Sequence, residues 1–328
     1  MSRKRGGGRY FANQSALFHG GLAIDKMYDR VVSDGYDKSA PPTVYHYTSW
    51  NGASGILRSQ RFWATAHQCT NDRAELKSAD AVILEVAEEV RKGQENVLAR
   101  EALRLFITGF HDLGMKVGSF LTVCLACFSA SRDDAEQWKR YGDYGRGLML
   151  GIRVVNEPAP TDYTAATVKV DYDEKSWRDT ITESFRDICK ILSQGRALPS
   201  QENLELALNA LHRIAAHASI QAKKTEWAVE QEYRRVVLLR DPSKLQKRPS
   251  ATGEEILYLP TLVREDGKRI LLDEITIGPN QDVKDACEKL EKLLTECGYV
   301  PGTPEYPKIT ISCAPPTSPS EFTNTYEP

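Results

Sequence analysis

Alternation of apolar and polar positions predicts β-strands in the middle and at the end of the chain. These segments are rich in Val, Ile, Thr and aromatic residues, which strands favour. They are TVYHYTS at 43–49, RFWAT at 61–65, SFLTVCLACFS at 119–129, GLMLGIRV at 147–154, ATVKVDY at 166–172 and YRRVVLL at 233–239, followed by LYLP, ILLDEITIG and KITISC. They supply enough strands for one central sheet.

Segments in which apolar residues recur at helical spacing lie between these strands. Two long regions, about 73–112 and 177–224, show this spacing, and the second is broken near Gly195 and Pro199. The clearest helix is predicted at 282–297, with Gly298 at the position where a helix commonly ends. A short helix is expected at 53–57, with Ser49 or Asn51 as its N-cap.

Strands and helices are mixed but do not alternate strictly, which favours an α+β fold. We expect a single domain over 41–313 with a mixed, largely antiparallel central sheet, and with the two long helical regions as insertions. Residues 1–40, which include RKRGGG, are expected to form a mobile arm, and the Pro/Ser/Thr-rich residues 314–328 a tail.

Composition narrows the class of protein. Among 328 residues, 43 Lys and Arg nearly balance 45 Asp and Glu, so bulk charge does not predict binding to nucleic acid or membranes. The basic start lacks the apolar stretch of a signal peptide, and no apolar run approaches the roughly 20 residues that span a bilayer. Seven mostly isolated cysteines suit a reducing compartment. We therefore expect a cytoplasmic protein.

Side chains capable of chemistry fall in three clusters far apart in sequence. The first contains Tyr45, His46, Tyr47 and Thr48, with Asn71, Asp72 and Glu75 downstream. The second contains Ser129, Ser131, Trp138 and Tyr141. The third contains Glu230, Glu232 and Arg234.

The third cluster allows two interpretations. On a strand, Glu230 and Glu232 would point to one face and form a carboxylate pair. On a helix they would diverge, and Glu230 would pair with Arg234 at i,i+4 on a solvated helix end. The helical sequence before them and YRRVVLL after them place the boundary at the motif.

Structural interpretations also exist for the other residues. His46 can be a buried histidine that binds a backbone carbonyl, and Trp138 with Tyr141 can belong to the core. Asn71 and Asp72 can cap the following helix, with Glu75 completing a capping box. Cys124 and Cys127 would face opposite sides of a strand, so we expect core residues rather than a metal site. No Walker loop, dinucleotide fingerprint or HExxH motif occurs.

The clusters together resemble a known family. YHYTS, GIL, FWAT and N-D-x-x-E stand in this order, followed by C-F-S with W-x-x-Y-G, W-x-x-E-x-E-x-R and I-x-I-G-P. In this ordered set, which runs from about Val44 to Ile311, the chain resembles the bacterial domain-of-unknown-function family 2971.

That family is distantly similar to ADP-ribosyltransferases of the His-Tyr-Glu type. The similarity implies an ADP-ribosyltransferase-like sheet and NAD as substrate, with no metal ion required. It implies that Glu230 or Glu232, with His46, is catalytic. It also implies a set of cofactor-binding residues: Tyr45, His46, Tyr47, Thr48, Ser129, Ser131, Trp138, Tyr141 and Arg234. No Tyr stands at the usual place on a middle strand, so the ring that stacks on nicotinamide is unassigned.

Three functions are therefore predicted in order of preference. The first is an NAD-dependent ADP-ribosyltransferase, in keeping with a bacterial phage-defence or toxin effector, with a protein or nucleic acid as acceptor. The second is a nucleotide-binding module that has lost catalysis. The third is a metal-dependent nuclease using Asp72, Glu75, Asp133 and Asp134. Arg58, Arg61 and Arg132 are candidates for the pyrophosphate by proximity to the motifs.

Overall fold

A computed structural model describes most of the chain. The described residues are 43–70, 75–113, 122–153, 163–194, 201–239, 241–249, 253–261 and 270–316. The predicted arm at 1–40 and the tail beyond residue 316 lie outside these residues, as do Asn71 and Asp72.

The chain forms two compact units. The first, here called the helical unit, takes its described residues from 71–121 and 170–225. The second, the sheet unit, takes them from 38–70, 122–169 and 226–328. The chain therefore leaves the sheet unit twice, and both predicted helical insertions lie within the helical unit.

The described part of the helical unit contains four α-helices: α2 (Asp80–Lys92), α3 (Val97–Leu113), α5 (Glu174–Gln194) and α6 (Gln201–Gln221). Their core is almost entirely apolar, and Phe106 lies at its centre against the rings of Phe110, Phe185 and His212. The predicted region 73–112 thus contains two helices, because the chain turns after Gly93.

The sheet unit contains ten described strands and three helices. In chain order they are β1 (Thr43–Thr48), α1 (Trp50–Ser59), β2 (Phe62–Ala66), β3 (Thr122–Ser129), α4 (Ala135–Arg140), β4 (Leu148–Arg153), β5 (Tyr163–Lys169), β6 (Glu232–Leu239), β7 (Gln246–Pro249), β8 (Glu255–Thr261), β9 (Leu272–Ile277), α7 (Val283–Glu296) and β10 (Lys308–Ile311). The predicted α+β class with a mixed, mostly antiparallel sheet is confirmed.

Strand β3 has one neighbouring strand, β6, on one edge and two successive neighbours, β2 and β1, on the other edge. We call the place where β1 and β2 separate along β3 the division of the sheet. Along one edge, β3 pairs with β6 over its whole length, and β6 pairs in turn with β5. Along the other edge, β2 pairs with the start of β3 at Leu125, and β1 pairs with its end at Ser129. From β1 the sheet continues through β4 and β9 to β10, and from β2 it continues through β8 to β7.

Strand register gives the sheet an apolar and a polar face. Residues directly opposite one another in paired strands point to the same face. The apolar face includes Val44, Phe128, Leu150 and Ile275, and the helices α1 and α7 pack into the same core. The polar face includes Tyr45, Ser129, Glu232, Arg234 and Glu274.

Capping residues fix the ends of the two helices on the apolar face. Ser49 rather than Asn51 caps α1, accepting a hydrogen bond from the Gly52 amide. Asp282 caps α7, and Gly298 follows that helix with φ 80°, the conformation its sequence position indicated. Within the described part of the chain, no helix is long and apolar enough to cross a membrane.

Candidate functional site

The candidate site lies where β3 ends beside the start of β6. A 3₁₀ turn over Thr225–Glu230 leads into β6, and Gln231 joins the two with a left-handed φ of 43°. The Gln231 carbonyl accepts a hydrogen bond from the Ala130 amide at 2.9 Å, and Glu232 lies opposite Ser129. Glu230 therefore ends a helical turn while Glu232 begins a strand, so they do not share one strand face.

Glu230 is a buried carboxylate with an aromatic donor. The residue is 3% exposed, and its Oε1 accepts a hydrogen bond of 2.7 Å from the Tyr141 hydroxyl. Its backbone carbonyl accepts a second bond of 2.6 Å from Ser129 Oγ. Ser129 Oγ also accepts from the Ser131 amide, so both serines of the second cluster support the end of β3.

Tyr141 connects this carboxylate to solvent. Its side chain follows α4 and is 49% exposed. Burial of the hydroxyl, and then the negative charge of Glu230, raise the pKa of Tyr141 far above its usual value. The phenol therefore stays protonated and donates to Glu230 over the whole physiological pH range.

Glu232 and Arg234 form a buried ion pair. They stand two residues apart on β6, so their side chains share the polar face. Arg234 Nε donates to Glu232 Oε1 at 2.8 Å, and its terminal nitrogen to Oε2 at 3.2 Å. Arg234 is fully buried and Glu232 is 4% exposed. The guanidinium thus neutralises the carboxylate in place.

His46 lies on the other face of the sheet. It pairs with Leu150, and its ring contacts the edges of Phe62 and Phe128 at 5.4 and 5.7 Å between centroids. Burial lowers the pKa of His46, which favours the neutral imidazole.

His46 also contacts strand β3 at the division of the sheet, where β1 and β2 separate. Its Nδ1 is 3.1 Å from the carbonyl oxygen of Cys127. Cys127 lies between Leu125, where β2 pairs with β3, and Ser129, where β1 pairs with it. The imidazole therefore binds a strand carbonyl at the point where the two neighbouring strands separate, and this contact suits a supporting role.

Tyr47 and Trp138 support the segment that leads to Tyr141. The Tyr47 hydroxyl donates to the Ser131 carbonyl at 2.8 Å and accepts from the Asp134 amide at 2.9 Å. Trp138 is fully buried, with its ring edge-on to Tyr47 at 5.0 Å, and its indole N–H donates to Asp133 at 2.8 Å. Burial raises the pKa of Tyr47 well above its usual value. Both residues are buried.

Tyr45 lies on the polar face beside a second ion pair. Arg132 binds Glu274 through two hydrogen bonds of 2.6 and 2.9 Å. A Cβ at Gly151 would lie 2.8 Å from Glu274 Cγ and 3.3 Å from Tyr45 Cε1, so this close packing requires glycine. Burial, and then the charge of Glu274, raise the pKa of Tyr45.

Thr48 lies at the end of β1, where the chain turns into α1. A Cβ at Gly52 would lie 2.1 Å from Thr48 Oγ1, so glycine makes room for this hydroxyl.

Of the predicted site residues, the structure brings Ser129, Tyr141 and Glu230 into one contact group. It places His46 and Thr48 on or beside the apolar face.

Two of the arginines considered for the pyrophosphate bind carboxylates instead. Arg58 on α1 pairs with Glu296 at 2.7 Å, and Arg132 pairs with Glu274. Arg61 is exposed.

Two residues near Glu230 were missed by sequence reasoning. Gln137 is 3% exposed, with its amide nitrogen 3.5 Å from the Glu230 carbonyl. Arg140 lies over Trp227, with 4.9 Å from its guanidinium carbon to the ring centroid. Both belong to the DDAEQWKRYG segment, where a helix of only six residues gives too short a periodicity to show which side chains turn inward.

Two of the four acidic residues considered for metal binding, Asp133 and Asp134, have other contacts. Asp133 accepts hydrogen bonds from Trp138, Ser312 and the Cys313 amide, and Asp134 caps α4. No group of three His, Cys, Asp or Glu residues suited to a metal ion occurs among the residues that the structure describes. Cys124 is buried whereas Cys127 is exposed, so the expectation of core residues is confirmed for Cys124 and wrong for Cys127. Strand alternation places the two on opposite faces, and only the face of Cys124 is covered by the apolar core.

Comparisons with known proteins identify no protein that is significantly similar to this chain. No family model matches the chain, and no curated protein or solved structure is significantly similar to it. The resemblance to domain-of-unknown-function family 2971 and to ADP-ribosyltransferases therefore stays a prediction that depends on the motifs of the chain.

Proposed function

We propose that the sheet unit binds NAD, breaks its nicotinamide–ribose bond and transfers ADP-ribose to an acceptor. One observation carries the proposal: the carboxylate of Glu230 is almost completely buried and accepts the hydroxyl of the half-exposed Tyr141. A carboxylate oriented in this way beside an accessible aromatic ring suits a reaction that develops positive charge on a sugar.

The chemistry follows from that charge. As the glycosidic bond breaks, nicotinamide leaves with the bonding electron pair, and the ribose becomes oxocarbenium-like. A nearby carboxylate stabilises this charge in the transition state more than in the substrate, which is the condition for catalysis. A lone pair of the acceptor then forms the new bond to the ribose carbon, and the acceptor proton is released.

Of the two predicted glutamates, Glu230 is the one we assign to catalysis. Glu232 is neutralised by Arg234, so its charge is already balanced before any ligand binds. His46 supports the divided sheet through Cys127 and lies on the apolar face. In this proposal Tyr141 holds Glu230 in place and offers its ring to the nicotinamide.

A second candidate is a nucleotide-binding module without catalysis. The contacts of His46, Trp138 and the Glu232–Arg234 pair favour it, because each of these predicted site residues has a structural role in the sheet unit. The binding module shares the ligand class of the first proposal and differs in turnover. We propose a protein or a nucleic acid as acceptor of the enzyme, and a role in bacterial defence or toxicity, on the resemblance alone.

Consumption of NAD by the purified chain tests the proposal. Glu230→Gln keeps the shape of the side chain and removes its charge, so it should lower the rate by about 10²–10³. Glu226→Gln is the matched control, because Glu226 is an exposed carboxylate in the same 3₁₀ turn. Its rate should equal that of the parent protein.

Labelled NAD added with a cell lysate would then show whether protein or nucleic acid becomes modified. A parent protein that binds ADP but never consumes NAD would favour the binding module. If the parent and Glu230→Gln consume NAD equally, Glu230 is not the catalytic carboxylate.

A further inference from the structure

Arg140 presents a positive charge next to the candidate site. It is the last residue of α4 and directly precedes Tyr141. Its guanidinium lies over Trp227, while 26% of its side chain stays exposed. The indole therefore contacts the guanidinium without enclosing the whole group.

The charge of Arg140 is weakly compensated. The carboxylate paired with it is Glu136, with 3.6 Å between Arg140 Nε and Glu136 Oε2, beyond hydrogen-bond distance. Arg140 Nε is buried and has no hydrogen-bond partner among the residues that the structure describes. Arg132 differs sharply, because two of its three guanidinium nitrogens donate to Glu274 within 2.9 Å.

Arg140 and Glu230 belong to the same pair of segments. Trp227 and Glu230 stand three residues apart in one 3₁₀ turn, a spacing that places their side chains on the same side. Two consecutive contacts therefore join the end of α4 to this turn, namely Arg140 with Trp227 and Tyr141 with Glu230. The guanidinium thus contacts the same 3₁₀ turn that ends in Glu230, the residue that we assign to the ribose.

We propose that Arg140 binds a phosphate group of the nucleotide whose ribose lies at Glu230, an inference that rests on the proposed function. A guanidinium offers two parallel donors that match phosphate oxygens, and stacking on Trp227 reduces the entropy lost when they bind. The chain should therefore prefer NAD to its phosphate-free analogue, nicotinamide riboside.

Kinetics with these two substrates test the inference. Arg140→Ala should raise KM for NAD about 10- to 100-fold, the usual effect of losing a hydrogen bond between charged groups. It should leave kcat for NAD and both constants for nicotinamide riboside nearly unchanged. Arg140→Lys, which keeps the charge but not the two parallel donors, should fall between. Arg146→Ala is the matched control, because Arg146 is exposed and pairs with Asp143.

Binding of ADP and adenosine, measured by calorimetry, separates this inference from the proposed function. If NAD is not consumed but Arg140→Ala weakens ADP binding and leaves adenosine binding unchanged, the phosphate site stands and the enzyme proposal fails. If NAD is consumed and Arg140→Ala and Arg140→Lys, folded by thermal melting, keep the parental preference for NAD, the inference is overturned. A parent protein that does not distinguish ADP from adenosine also overturns it.

Discussion

The two units of this chain bury different kinds of residue. The helical unit packs Phe106, Phe185 and aliphatic side chains into an apolar core, and its buried polar residues are Ser184, Ser219 and Lys223 among those described. The described part of the sheet unit buries nine polar or charged residues, which carry hydroxyls, amides, carboxylates and guanidiniums. These are Ser129, Gln137, Glu230, Glu232, Arg234, Arg235, Thr261, Glu274 and Thr276.

The difference is one reason why we assign the proposed function to the sheet unit. Burying a charge costs free energy that its partner recovers only in part, so a unit selected for stability alone gains little from it. Oriented charges in a water-poor environment are, however, what electrostatic catalysis and nucleotide binding require. The helical unit has the composition of a scaffold, and the sheet unit that of a site with its supports.

The largest expected effect comes from breaking the buried ion pair. Arg234→Met takes the guanidinium away from the buried carboxylate of Glu232, which should lower the free energy of unfolding of the sheet unit by about 3–5 kcal/mol. Phe106→Ala should cost the helical unit about as much, because it opens a cavity. Hydrogen exchange followed peptide by peptide reports the stability of each unit separately.

A second substitution tests whether the stability lost in Arg234→Met is caused by the charge that remains on Glu232. Adding Glu232→Leu to Arg234→Met replaces the ion pair by apolar side chains and should restore most of the lost stability. If the double variant stays as unstable as Arg234→Met, the cost is not caused by the charge on Glu232. Loss of nucleotide binding by a stable double variant would assign the pair to the site rather than to its support.

A smaller loss is expected at the division of the sheet. His46→Ala removes the ring between Phe62 and Phe128 and the hydrogen bond to the Cys127 carbonyl, so we expect a loss of about 1–3 kcal/mol in unfolding free energy. NAD turnover per folded molecule should stay near the parental value. Parental stability with abolished turnover would instead show that His46 contacts the substrate.

Residue spacing predicted the elements better than it predicted the site. Helix α7 was predicted almost to the residue, because amphipathic spacing and Gly298 indicate the same helix. The structure adds Asp282 as its N-cap. The strand β7, with sequence QKRP, gave no signal because it is short, polar and ends in proline. It is held by pairing with β8, and single-sequence patterns do not contain such long-range contacts.

The site depended on contacts between distant residues. Whether Glu230 and Glu232 share a strand depends on one residue, Gln231, whose left-handed φ the sequence does not indicate. The role of His46 depends on the place where β1 and β2 separate along β3, which only register reveals. The local alternatives, a histidine bound to a carbonyl and a tryptophan in the core, describe His46 and Trp138 correctly.

The pH dependence of stability offers a matched test in both units. Burial lowers the pKa of His46 in the sheet unit and of His212 in the helical unit from the usual 6.5. Below about pH 6.5 the unfolded chain therefore binds protons that the folded chain does not, so each histidine makes stability fall as the pH falls towards its folded pKa.

His46→Gln should remove this loss from the sheet unit, and His212→Gln from the helical unit. Each site contributes at most about 1.4 kcal/mol per pH unit. Hydrogen exchange at pH 7 and pH 5 measures the slope for each unit, with the unsubstituted unit of each variant as internal control. An unchanged slope in the sheet unit of His46→Gln would mean that its imidazole is as easily protonated as in the unfolded chain.

The smallest effect is expected at Arg58, which sequence proximity made a candidate for the pyrophosphate. Its ion pair with Glu296 joins side chains that are 58% and 40% exposed, and such pairs contribute little because water already solvates both charges. Arg58→Ala should therefore cost less than about 0.5 kcal/mol and leave KM for NAD unchanged. Thermal melting and NAD kinetics beside Arg140→Ala check both statements. A tenfold rise in KM for Arg58→Ala, with none for Arg140→Ala, would move the phosphate site to α1, on the apolar face of the sheet.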